Sequence, residues 1–317
     1  MWKTITLVKL AYPVLAGAVL IGPVGSAGAS ELEVVVSSKP AHALVAGVMR
    51  GIATPAVLVD GTASPHTYAM KPSDAQAVNA ATVFFRISES LEPFTGKLVK
   101  SLPKSVRVVS LAEAPGLRLL ARRSGGTFES HAGKGHDQGH GAKGDRDPHV
   151  WLDPGNAKAM VAEIVRVLTA VAPADADKLK ANGGDVSASI DALDARLAED
   201  LKPLAGRPFI VLHDAIQYLE QRYRLAAAGS ITVSPDVQPS AKRLAELRRK
   251  VRSLGAVCVF SEPHVDQRVV NAVIEATPAR TGVLDPEGTA LRPGPEAYEA
   301  LMTGLARGLA GCLGGLS

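Results

Sequence analysis

Three histidines stand where a folded chain can present ligands. His66 follows the apolar run 56–60 through a Gly-Thr-Ala-Ser-Pro turn, and His213 ends the run 208–213. His149 lies just before Trp151-Leu152-Asp153-Pro154, a helix entry, and Asp285 directly follows Gly282-Val283-Leu284. In open α/β sheets, ligands collect beyond the carboxyl ends of parallel strands, so four polar groups at such ends can meet in one cleft. Neutral imidazole suits borderline divalent metals, and three imidazoles with one carboxylate or water make a tetrahedral zinc site. Manganese or calcium asks for more oxygen donors. Each residue alone has a plainer reading: a strand-end histidine held by the core, a turn-initiating Asp285-Pro286, a helix cap at Asp153. The combination of three is what points to metal.

The elements that must position these groups are legible as apolar runs at 34–37, 56–60, 82–87, 106–111, 208–213, 230–233, 256–260 and 281–284. Most are continuously apolar, as parallel strands covered on both faces are. Helices separate many of them. Asp153-Pro154 opens one with a cap and a proline at its first position, followed by Val161, Ile164, Val165 and Leu168 at helical spacing. Ser240 opens another, with Leu244, Leu247, Val251 and Leu254 inward, Gly255 as its stop, and the cations of 242–252 on a solvated face.

The runs fall into two groups of four, separated by a strand-free helical segment, 173–202. This predicts an α/β protein of two lobes, 30–172 and 203–317. Each lobe is a roughly four-stranded, mainly parallel sheet with helices, and the metal lies between them. Asn182-Gly183-Gly184 inside the connecting helix predicts a kink or a late start, since two interior glycines cost about 1–2 kcal/mol.

Residues 1–29 read as a secretory signal peptide: Lys3 and Lys9, a short apolar stretch, then Ala27-Gly28-Ala29 as the cleavage pattern. That predicts an exported, soluble mature protein. Cys258 and Cys312 are the only cysteines of the 317 residues. In an oxidising compartment they are expected to pair, tying a strand to the last helix, with two buried thiols as the alternative. The segment 124–147 is Gly-rich and nearly free of bulky apolar residues, which predicts a loop. It holds His131, His136 and His140, either a secondary low-affinity metal site or a solvated insertion. The net charge of +4, two of it in the leader, is too small for a nucleic-acid partner. His42 reads as structural, and His264 as lining the cleft without ligating.

The ordered segments Ser64-Pro65-His66 with Lys71-Pro72-Ser73-Asp74, Asp147 through Pro154, Val211-Leu212-His213-Asp214-Ala215, Phe260-Ser261-Glu262-Pro263 and Leu284-Asp285-Pro286 carry a family resemblance across the whole exported chain. The chain resembles the ZnuA-type zinc-binding receptors of bacterial ABC metal importers, within a cluster that includes manganese-binding relatives. The resemblance implies two α/β lobes joined by a long rigid helix, with His66, His149 and His213 as imidazole ligands. Asp285 matches the carboxylate that completes some sites. His rather than Glu at 213 resembles the zinc branch, and a C-terminal disulfide matches Cys258 and Cys312. The implied compartment is the periplasm, and the implied function is capture of Zn2+ and delivery to a membrane ABC permease, by a monomer without catalysis. The alternatives are a manganese or iron receptor and a zinc-dependent hydrolase using Asp214 or Glu262 as base, although no HExxH motif is present.

Overall fold

Continuously apolar runs become central strands when helices cover both their faces. The computed structural model describes residues 1–2, 32–123, 128, 146–232, 239–254, 258–263, 265 and 267–315. The first half carries β1 (Val34–Val36), α1 (Lys39–Val48), β2 (Ala56–Val57), α2 (Pro72–Ala80), β3 (Val83–Arg86), α3 (Thr95–Ser101) and β4 (Arg107–Ser110). Two long helices follow, α4 (Pro154–Val171) and α5 (Ala176–Leu201), packed on each other. The second half continues with β5 (Pro208–His213), α6 (Gln217–Tyr223), β6 (Ala226–Thr232), α7 (Ala241–Leu254), β7 (Cys258–Ser261), α8 (Gln267–Ile274), β8 (Arg280–Val283) and α9 (Ala297–Leu313).

All strand pairs are parallel, in the orders β2-β1-β3-β4 and β6-β5-β7-β8. Each of the eight apolar runs contributes one strand. β6 begins earlier than its β-branched residues suggest, at Ala226, because its backbone pairs with β5 regardless of the small Ala-Ala-Ala-Gly side chains.

Side chains alternate across each sheet. Val34, Val36 and Phe85 enter a core shared with α1, α4 and α5, while Val35 and Phe84 meet Val78 and Leu98 of α2 and α3. In the second sheet Phe209, Val211 and Phe260 join the same shared core, and Ile210, Leu212 and Val259 face α7 and α8. One apolar core therefore runs through both halves, and residues 32–317 form a single compact unit. Cys258 and Cys312 form a disulfide, Cα atoms 6.1 Å apart, that ties β7 to α9. Closing a loop across 54 positions contributes about 4 kcal/mol in the chain-entropy account.

The helix expected to kink or start late at its glycines, α5, begins before them, at Ala176, and runs unbroken to Leu201. A Cβ at Gly183 would collide with Val165 Cγ2 of α4, so the glycine permits the close approach of the two helices. Asn182 Nδ2 donates to Val48 O at 2.8 Å and Arg50 O at 3.0 Å, closing the end of α1. Tertiary contacts thus outweigh the weak local propensity. His131, His136 and His140, the leader residues 3–29 and His264 lie outside the described residues.

Gly183 and Gly184 should separate in a denaturant titration. Gly183→Ala is expected to lower the unfolding free energy by about 1–2 kcal/mol through overpacking. A Cβ at Gly184 would meet nothing within 4 Å among the described residues, so Gly184→Ala should raise it by up to about 1 kcal/mol.

Candidate metal centre

The strand ends bring the three histidines together. β5 pairs with β6 on one side and β7 on the other, and the chain leaving β6 crosses past β5 to β7, so the carboxyl ends of β5 and β7 flank a topological switch point. His213 is the last residue of β5, and Glu262 follows β7. His213 Nδ1 lies 2.5 Å from Glu262 Oε1. His149 caps a short 3₁₀ turn, Val150–Leu152, that leads into α4. Its main-chain N donates to Asp147 Oδ1 at 3.0 Å, and its Nδ1 lies 2.7 Å from the same oxygen. Asp147 is fixed in turn, its N donating to Leu120 O at 2.9 Å and its carbonyl accepting from Tyr218 Oη at 3.0 Å. His66 sits on the turn after β2, where its N donates to Ser64 Oγ at 3.3 Å.

The three rings form a near-equilateral triangle, with centroids 5.3, 5.4 and 5.6 Å apart. His149 Nε2 is 3.3 Å from His66 Nε2 and 3.4 Å from His213 Nε2. A carboxylate at Nδ1 holds the proton there and leaves Nε2 of His149 and His213 as electron-pair donors facing inward. Two such nitrogens at this distance repel unless a proton or a metal cation lies between them.

The fourth member is Glu287. His66, His149, His213 and Glu287 each offer a ligand atom, all within 4.8 Å of one another. Glu287 Oε1 accepts from Ser64 Oγ at 3.2 Å and lies 3.3 Å from His66 Nε2. Oε2 of Glu287 is buried without a hydrogen-bond partner among the described residues. Such an atom is costly in a folded core and is what a ligating oxygen looks like before its cation arrives.

Asp285, the carboxylate expected from the sequence, is directed elsewhere. Its Oδ1 accepts from Thr289 N at 2.8 Å and Thr289 Oγ1 at 3.1 Å, and its Oδ2 from Ala290 N at 2.9 Å. Both oxygens are spent on shaping the loop that presents Glu287. The signal available in the sequence was an acid two residues beyond an Asp-Pro turn starter.

Asp153 caps α4 through Gly155 N at 2.8 Å. His42 is buried in α1 with Nε2 3.0 Å from Pro55 O, away from the metal-ligand group. Asp214 pairs with Arg123, which also grips Glu220, and Glu262 is engaged by His213, so the two acids considered as catalytic bases hold structural contacts.

Electrostatics favour a cation here. Burial alone would push the His213 imidazolium pKa down, but Glu262, with smaller contributions from Glu287 and Asp214, outweighs it and raises the value to about 9. Burial raises Glu287, partly offset by His213. Burial also lifts Asp147, to about 6. Three carboxyl groups surround three imidazoles, and a dication can replace the protons that the metal-free site holds.

A two-sheet α/β frame with a nitrogen-rich ligand group at its strand ends is the architecture of a metal-binding solute receptor. A family model described as ZnuA, zinc-uptake complex component A periplasmic, matches residues 34–312. The high-affinity zinc uptake system protein ZnuA of Brucella abortus (strain 2308) is 42% identical, with 94% of this chain and 97% of the relative covered. The protein of the same name from Yersinia pestis is 31% identical, with 94% and 96% covered. Among solved structures, one titled crystal structure of ZnuA has a TM-score of 0.71 at 23% identity, covering 87% of this chain and 99% of that one. A Mn-bound periplasmic metal-binding protein from Candidatus Liberibacter asiaticus (an S38A mutant) also has 0.71, at 20% identity, covering 88% and 99%. These two likenesses concern the fold. The chain belongs to the ZnuA family of periplasmic zinc-uptake components.

The site makes a direct expectation for the metal-free protein. Imidazole NMR should find His213 still protonated at neutral pH, titrating near 9, and Glu262→Gln should lower its midpoint, because burial then opposes only the remaining attraction of Glu287 and Asp214. An unchanged midpoint would remove Glu262 as the cause.

Proposed function

We propose that this chain is an exported receptor that captures Zn2+ with high affinity and delivers it to a membrane ABC permease for zinc uptake. One observation carries the reading: three imidazole nitrogens and a carboxylate oxygen, drawn from both halves of the chain, lie within 4.8 Å of one another. Three nitrogens and one oxygen in a compact group fit tetrahedral zinc, at about 2.0–2.2 Å per bond after a small contraction. The relatives named for high-affinity zinc uptake support the same cargo. The manganese or iron alternative is not favoured, because those ions prefer more oxygen donors.

In this reading His66, His149 and His213 ligate through Nε2 and Glu287 takes the fourth position. Glu262 and Asp147 hold the rings of His213 and His149 from behind. With Glu287 as a ligand no position is left open for an activated water, so the work is binding and release without covalent chemistry.

Residues 1–29 serve as the export leader, and no helix among the described residues is long and apolar enough to cross a membrane. The segments 30–172 and 203–317 act as lobes about the connector 173–202, in a monomer, and His131, His136 and His140 collect zinc weakly. Because the ligands are divided between the lobes, a small separation on docking breaks the set and frees the ion.

Chelator-competition titration of residues 30–317 tests this. One equivalent of Zn2+ should bind tightly, with Mn2+ weaker by at least about 100-fold; equal affinities would return the manganese reading. His66→Ala, His149→Ala and His213→Ala should each lose more than the roughly 10–100-fold typical of a second-sphere change. Glu287→Gln should weaken binding more than Asp285→Asn, and the reverse order would restore Asp285 as the ligand.

Zinc affinity should also depend on pH. Protonated imidazole cannot ligate, and His213 is raised to about 9, so lowering the pH from 8 toward 7 displaces bound metal by about tenfold per unit. The fall should steepen below about 6.5, the ordinary imidazole value. A flat affinity between pH 8 and 5 would contradict three-histidine ligation.

A further inference from the structure

We infer that Lys39 is a positioning residue for metal retention, its buried ammonium tying the loop that carries His66 to the loop that carries Glu287. This rests on the zinc-receptor reading above and adds to it a residue outside the ligand set. Lys39 Nζ donates to Gly61 O at 2.6 Å, five residues before His66. Its other two protons go to Thr289 O at 2.8 Å and Leu291 O at 2.7 Å, just beyond Glu287. An ammonium has three N–H donors, and all three are committed. One binds the first half of the chain and two bind the second, so the group bridges the same divide that the metal ligands bridge.

The placement is unfavourable for α1 itself. Lys39 is the first residue of the helix, where the dipole repels a cation, and the first turn contains no acidic residue. The side chain is only 6% exposed, and its nearest carboxylate, Asp60 at 3.8 Å, is largely in solvent. Burial lowers its pKa, with Asp60 and Asp285 offsetting part of the effect. A cation held against these costs acts through its three carbonyls.

Those carbonyls belong to a connected frame. Thr289 also donates to Asp285, which closes the turn around Glu287. Pro286 O accepts from Trp151 Nε1 at 3.0 Å, two residues beyond His149. Ser64, between Gly61 and His66, donates to Glu287 itself. Separating the loop before His66 from the loop after Glu287 breaks the bonds of Lys39 to one of them, so Lys39 slows release.

Stopped-flow chelator chase and direct Zn2+ mixing give the dissociation and association rates of wild type and Lys39→Met. Dissociation should become about tenfold faster or more, the loss expected on removing a charge-assisted bond, with association within about twofold. The Co2+-substituted absorption spectrum should shift, because Glu287 is then free to leave the coordination sphere. Lys178→Met removes an ammonium-to-carbonyl contact on Gly51, elsewhere on the molecule, and should change neither rate. If wild type binds no zinc tightly, the receptor reading fails; if it binds and folded Lys39→Met releases zinc at the wild-type rate with the same Co2+ spectrum, the Lys39 assignment alone fails. Lys39→Gln, which keeps two donors, carries the same criterion if Lys39→Met does not fold. Should neither fold, the assignment also falls, since Lys39 would then serve folding.

Discussion

Electron pairs aimed at one another are tolerated only when positive charge sits among them. Here that constraint governs the whole molecule. His149 and His213 each lie against a carboxylate at Nδ1, so their Nε2 atoms face inward at 3.4 Å, with His66 completing the triangle. Water could solvate such nitrogens at a surface, but His149 and His213 are almost wholly buried. A protein that keeps this geometry commits itself to a proton or a metal at the centre.

The rest of the fold serves to hold that geometry across two halves. The second sheet supplies His213 and Glu262 on either side of its switch point, and the first half supplies His66 and the turn at His149. Neither half carries the whole group of His66, His149, His213 and Glu287 by itself. The shared apolar core around α1, α4 and α5 keeps the halves together, and α5 lies close to α4 because Gly183 has no side chain. Polar bonds do the finer work: Trp151 to Pro286, Lys39 to Thr289 and Leu291, Ser64 to Glu287. Stability and site geometry are therefore separable, the first resting on burial and the second on a few directional bonds.

Much of the frame was legible because parallel strands covered on both faces must be apolar at every position. Most of the eight runs carry that mark, and the histidines stand beside them or just beyond their ends. The cap at Asp153 was readable for a similar local reason, an acceptor just before Pro154. Reading failed where a distant partner decides. Ala226 to Gly229 are poor strand formers, yet β5 recruits them. Gly183 and Gly184 looked like a break, yet α4 and α1 impose the helix. Asp285 and Glu287 are both acids just beyond β8, and no periodicity distinguishes them.

The amino-acid sequence by itself determined the two-sheet α/β class and the three imidazoles at element ends, because both follow from short-range pattern and residue chemistry. Tertiary structure alone decided which carboxylate joins those imidazoles and which acids stand behind them. The reason is geometric: Asp285 finds Thr289 and Ala290 within its own loop, whereas Glu287 meets His66 and Ser64 only after more than 200 intervening residues have folded.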